Sequence, residues 1–183
     1  MDIEDFWSLI ERSTAGSDTK DAREDWLITT LSGRDRAEIE DFAIRLQEAR
    51  DRVDDARMWS AAEVILDGCS TDSFWYFQCW LIGLGREAFE RAAADPDTLA
   101  DLPAVRILAA RPYETWDDEV WPEWESLDYV AGRAYADDDG SELDEAVAAR
   151  GVDLRADPLE PDWSREYHFP RLRELFPRHH TRG

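Results

Sequence analysis

The chain has 183 residues, 43% hydrophobic and 35% charged. That length suits one domain, and that apolar share is enough for a core. Forty-three acids against 21 Lys and Arg give a net charge of −22, which excludes a groove that works by neutralising phosphates and a polybasic membrane surface.

The first two-thirds reads as helices. Ile3, Phe6, Trp7 and Ile10 follow helical spacing behind Asp2, a cap residue. Gly16 and Ser17 break that helix. Ala22, Trp26, Leu27 and Leu31 make a second stripe, opened by Ser17 or Asp18 and closed at Gly33. A third helix is expected from Asp35 to Ala56, with Ile39, Phe42, Leu46, Ala49 and Val53 on one face. A fourth covers Trp59 to Leu66 and stops at Gly68. The fifth, capped by Ser70 or Thr71, carries Phe74, Trp75, Tyr76, Phe77, Trp80, Leu81, Ile82 and Leu84. A helix apolar nearly all round belongs at the centre of a fold. Gln78 is its only interior polar residue.

Gly85 ends or bends that helix, and Arg86 to Ala94 forms a sixth before the turn Asp95-Pro96-Asp97. Val105 to Leu108 fits a short strand or a helix. From 111 to 124 the character changes. Pro112 and Pro122 break helices, and Trp116, Trp121 and Trp124 sit among Glu114, Asp117, Asp118, Glu119 and Glu123. Glu125 to Ala136 returns to helical spacing. Asp137-Asp138-Asp139-Gly140 reads as a turn, and Ser141 caps a helix ending near Arg150-Gly151. Residues 152–163 show little pattern. Phe169, Leu172, Leu175 and Phe176 form a tail expected to dock on the body, with the last seven residues frayed.

The expected fold is all-α: a single-domain helical bundle of seven to nine helices around the apolar helix 73–84. Residues 1–135 form its core, and 136–183 an acidic extension and C-terminal tail packed on it. No run of about 18 apolar residues is present for a membrane span. The acidic start, Met1 to Asp5, is unlike a secretory leader. Cys69 and Cys79 match neither a zinc spacing nor a disulfide framework, and read as buried thiols in a reducing cytoplasm.

Little in the chain points to catalysis. Aligning Gly140 as an EF-hand glycine puts Tyr135 and Ala146 at ligand positions, so that loop is rejected. His168, His179 and His180 all lie near the end. No phosphate loop, nucleophile elbow or zinc-protease motif occurs. No catalytic residue, metal or cofactor is therefore assigned. The segment Gly68-Cys69-Ser70-Thr71-Asp72-Ser73-Phe74 allows two readings. Its polar residues either cap the central helix or line a ligand pocket of Cys69, Ser70, Asp72, Gln78 and Arg86. Arg86 discriminates, since an arginine facing a cavity implies an anionic ligand and one paired to an acid implies scaffolding.

The tryptophans divide as well. Trp7, Trp26, Trp59, Trp75 and Trp80 fall at core spacing. Trp116, Trp121, Trp124 and Trp163 lie in acidic, irregular sequence. They either lid the core or grip a basic protein partner. Residues 114–163 hold 17 acids and three bases. A GC-rich genome and a salt-adapted proteome are the plain explanations of so few lysines and so many acids. The functional one is a docking surface.

Asp5-Phe6-Trp7-Ser8-Leu9-Ile10, Gly68-Cys69-Ser70 through Phe77, and Trp80-Leu81-Ile82 through Gly85-Arg86 carry a resemblance. Over residues 1–135 the chain resembles an uncharacterised bacterial domain-of-unknown-function family with F-W-x-L-I followed by G-C-S-D-x-x-F-x-Y-F-x-x-W-L-I-x-x-G-R. Thr71 departs from it where an acid is expected. The resemblance implies a helical intracellular protein and supplies no activity. The leading expectation is a non-enzymatic, cytoplasmic interaction module, inhibitor- or immunity-like. It would bind a basic partner through Trp116, Asp117, Asp118, Glu119, Trp121, Glu123 and Trp124. The alternatives are a small-ligand binder or enzyme at the Cys69, Asp72 and Arg86 pocket, and a nucleic-acid mimic. Direct nucleic-acid and membrane binding are not expected.

Overall fold

Side-chain caps set most helix starts. The computed structural model describes residues 1–15, 19–136, 141–154, 158 and 165–177. Helix α1 (Ile3–Arg12) begins where Asp2 accepts the backbone N–H of Asp5. Helix α2 (Lys20–Ser32) begins at Thr19, whose hydroxyl accepts from Ala22. Ser17 and Asp18, the expected caps, lie outside the described residues, as does the break at Gly16. Helix α3 (Arg36–Asp51) starts at Asp35 and ends five residues before the expected Ala56. Asp55 accepts the N–H groups of Arg57 and Met58, so helix α4 (Ala56–Leu66) begins there rather than at Trp59. The break between the third and fourth helices thus falls several residues earlier than expected, because Asp55 after a turn is a strong helix-start signal.

Helices α5 (Thr71–Gly83), α6 (Arg86–Ala94) and α7 (Pro103–Ala109) follow, with a 3-10 segment over Pro96–Asp101. Helix α7 settles the 105–108 alternative: Val105 and Leu108 turn inward while Ile107 is 46% exposed. Helices α8 (Ser126–Tyr135), α9 (Ser141–Ala148) and α10 (Pro170–Leu175) complete ten among the described residues, one more than the upper expectation. The fold is all-α, with no strand among the described residues. None of the described helices is long and apolar enough to cross a membrane. The turn at Asp137–Gly140, Trp163, His179 and His180 lie outside the described residues.

Helix α5 is the hub, touching α1, α3, α4, α6 and α8. Its Phe74, Phe77 and Leu81 are wholly buried. Phe74 stacks on Trp59 of α4 at 4.5 Å between ring centroids. Phe6 of α1 meets Phe42 of α3 at 5.3 Å, and Trp7 meets Phe89 of α6 at 5.1 Å. Such ring pairs add about 0.5–1.5 kcal/mol each beyond area burial.

The C-terminal helices reach back to this body. Helix α9 packs on α3 and α8, and α10 on α4 and the 3-10 segment. The contact of α10 is specific. Buried Asp97 accepts the backbone N–H groups of Arg171 and Leu172, the latter at 3.0 Å, and so caps α10 from 75 residues away. Arg171 pairs with Asp101, and Leu172 is buried.

Replacing Asp97 with Ala should release α10. We expect a loss of about 1–2 kcal/mol, the upper range for a helix cap, and new proteolytic cleavage between 165 and 177. Acid should do the same. The Arg171 hydrogen bond holds the Asp101 carboxyl below its ordinary value. Its contribution is therefore present above the unfolded aspartate range and is lost as pH falls through the lower folded value. Proteolysis with pepsin across that window checks the direction.

Candidate functional site

The five candidate pocket residues do not converge. Ser70 is the N-cap of α5, its hydroxyl accepting from the Ser73 N–H at 3.2 Å. Asp72 is exposed in the first turn, where a carboxylate favours the helix dipole. Arg86 sits past the other end of α5, about 20 Å along the helix axis from Ser70 at 1.5 Å per residue. Both carboxylate oxygens of Glu4 accept from it at 2.7 Å, and Glu11 accepts its backbone N–H. An arginine so paired is scaffolding, which corrects the pocket shared by Cys69, Ser70, Asp72, Gln78 and Arg86.

Cys69 and Gln78 also serve the interior. The Cys69 carbonyl accepts the Trp59 indole N–H at 3.1 Å. Burial, reinforced by Glu123 and Glu63, pushes the Cys69 thiol up to about 12. A thiol so shifted is protonated at neutral pH and is a poor nucleophile. Gln78 is 1% exposed, and its Oε1 accepts from the Nε–H of Arg50 at 3.4 Å.

Arg50 is the residue that sequence reasoning missed. It is 2% exposed and lies 3.4 Å over the ring of Trp75. Its Nη1 donates to Gln47 at 3.2 Å and to Asp128 at 3.3 Å. Burial raises the Asp128 carboxyl, and Arg50 opposes the shift. This polar pin joins α3, α5 and α8. Its signal in the sequence is faint: Ala43, Gln47 and Arg50 share a helical face at spacings of four and three. Breaking one side of such a buried pair is costly.

The acidic segment between α7 and α8 is an ordered strap. Tyr113–Thr115 makes one 3-10 turn. The Tyr113, Trp116 and Trp121 rings then cluster, with centroids 4.8, 5.1 and 5.6 Å apart, and Phe176 after α10 approaches Trp116 at 6.4 Å. Asp117 accepts the Val120 N–H at 3.1 Å and closes a turn.

Lys20, the one lysine of the chain, fastens the strap to α2. Its ammonium donates to the carbonyls of Asp118 and of Trp121, the latter at 2.8 Å, and its backbone N–H donates to Glu119 at 3.0 Å. Burial lowers the Lys20 ammonium, and Glu119, Asp118, Glu123 and Asp117 oppose the shift.

Trp124 fastens the other end. It is 2% exposed, so it is no surface contact, which corrects its place among the partner-binding candidates. Its backbone N–H donates to the Tyr76 carbonyl at 3.0 Å. Its indole lies on Gly83, where an added Cβ would come within 2.5 Å of the ring. The Arg23 guanidinium covers the ring at 4.4 Å. Arg23 also donates to the Gly83 carbonyl at 2.7 Å and to Ser13 at 3.1 Å. Trp116 and Trp121 are half-buried; Asp117, Asp118 and Glu119 are exposed, and Glu123 is partly so. Trp163 lies outside the described residues.

Cavities lie beside the strap and beyond it. A pocket of about 210 Å³ lies under the strap beside Arg23. A groove of about 720 Å³ runs between α4, Tyr113, Trp116 and Phe176, and one of about 400 Å³ lies near His168. Among the described residues no three His, Cys, Asp or Glu side chains converge as metal ligands.

Fold and strap together define an all-α domain with an anchored acidic aromatic surface. The chain belongs to the DUF4240 family, described as proteins of unknown function, over residues 1–137. That span takes in the strap and ends just after α8. No curated protein and no solved structure matches the chain.

Two outcomes test this geometry. Gly83→Ala should drive a methyl into Trp124 and cost about 1–3 kcal/mol, the range for overpacking, with a shifted tryptophan emission spectrum; chemical denaturation measures the loss. Cys69 should resist alkylation at pH 8, because its thiolate fraction there is roughly one part in ten thousand. Iodoacetamide should label the native protein far more slowly than the denatured one.

Proposed function

We propose that the strap is a docking surface for a basic protein, and that the domain acts as a cytoplasmic, non-enzymatic interaction module of the inhibitor or immunity kind. One observation carries the reading. Asp117, Asp118, Glu119 and Glu123 form no side-chain ion pair among the described residues, while the backbone bearing them is held at Lys20 and Trp124. Charged groups held in place before contact lose little entropy on binding. A fixed negative patch also steers and orients a positive partner. Trp116, Trp121 and Tyr113 add apolar area at the same edge. Aromatic residues beside charge are what binding hot spots use.

The test is capture from a lysate of the organism that encodes the chain, with elution by a salt gradient. We expect a basic protein to be released at moderate salt. The quadruple variant Asp117→Asn, Asp118→Asn, Glu119→Gln, Glu123→Gln should retain its helical circular dichroism, bind that protein more weakly and show a flatter salt dependence. Equal affinity and equal salt slope in the two proteins would refute the reading.

A further inference from the structure

The pocket of about 210 Å³ under the strap is lined by Arg23 together with Trp80, Leu84, Ala104, Ile107 and Trp124. The docking reading makes no use of this cavity, although Glu119 belongs both to the acidic strap and to the pocket wall. Its polar walls are Arg23 at one place and Thr19, Lys20 and Glu119 at another, and the rest of the lining is apolar.

Arg23 is unusual in this molecule. Carboxylates outnumber Lys and Arg by two to one, and the other deeply placed arginine, Arg50, has Asp128. Arg23 has no carboxylate within ion-pair distance among the described residues. Its Nε–H goes to Ser13 and one Nη2–H to the Gly83 carbonyl, which leaves the Nη1 edge without a protein acceptor among the described residues. Burial alone lowers the guanidinium to about 10, with no acid acting against it. Lys20 differs, because four carboxylates surround it and two carbonyls take its protons. The cation at Arg23 is thus half-buried, held by two hydrogen bonds and a ring face, and has no carboxylate partner among the described residues. A charge-assisted hydrogen bond is strong in that setting.

We propose that this pocket binds a small monocarboxylate with a short apolar tail. The carboxylate sits on the Nη1 edge of Arg23, and the tail lies against Trp80, Leu84, Ala104 and Ile107. Glu119 at the other wall disfavours a second negative charge, so the site selects a monoanion over phosphate or a dicarboxylate. The size of the cavity limits the tail to a short branched chain or a single ring.

Isothermal titration with 4-methylpentanoate tests the site. The controls are 3-methylbutylamine, which has a similar tail without the carboxylate, and sulfate, which has charge without a tail. We expect one-to-one binding of the carboxylate at roughly millimolar affinity or better, and no heat from either control. Arg23→Gln should weaken binding by at least about tenfold. Arg23 also holds Gly83 and Trp124, so that variant can lose its fold. Ile107→Trp avoids the difficulty: it fills the pocket mouth from an exposed position, leaves Arg23 in place, and should abolish binding with unchanged circular dichroism. No binding by the native protein, equal binding by the amine or sulfate, or undiminished binding in Ile107→Trp would each overturn the assignment. None of these outcomes depends on a protein partner for the strap.

Discussion

A helix that is apolar around its whole circumference must be enclosed on every side, and α5 imposes that demand on the rest of the chain. Its turns carry Phe74, Phe77, Trp80, Leu81 and Ile82, all buried, so beyond its first turn most of its surface must be covered. Helices α1, α3, α4, α6 and α8 supply most of the cover. The remaining gap, at the C-terminal end of α5, is filled by Trp124 lying on Gly83. A core requirement therefore fixes where the acidic strap returns to the body.

That placement explains the use of the few cations near the strap. Lys20 is spent on backbone carbonyls, not on the carboxylates around it. Arg23 covers the outer face of Trp124 and ties it to Gly83 and Ser13. The strap is held by hydrogen bonds and ring packing while Asp117, Asp118 and Glu119 stay exposed. Electrostatic repulsion among these acids disfavours such a loop, and burial of Trp124 with capture of Lys20 offsets it. Both the docking surface and the pocket beneath arise from this one arrangement, the first from its outer face and the second from its inner one.

The arginines show how one residue type takes three roles. Arg86 is a surface strut to Glu4. Arg50 is a buried pin to Asp128 and Gln78, which places an otherwise costly glutamine inside α5. Arg23 is half-buried with no acid paired to it among the described residues. Sequence marks only Arg86, because it follows Gly85 at a helix start. The other two depend on what the neighbouring helices bring near them.

The sequence by itself determined the features that arise within a turn or two of chain. The all-α class, the central place of α5, the caps at Asp2, Asp35 and Ser70, and the irregular acidic stretch all follow from local spacing and chemistry. Tertiary structure alone decided what depends on residues far apart. Asp97 caps α10 from across the fold, and Trp124 is core while Trp116 and Trp121 are not. Burial is the physical reason. A side chain has the same local preferences in either setting, but its exposure and its charge partners are set by elements that fold onto it from elsewhere, as Gly83 does for Trp124 and Lys20 for the strap.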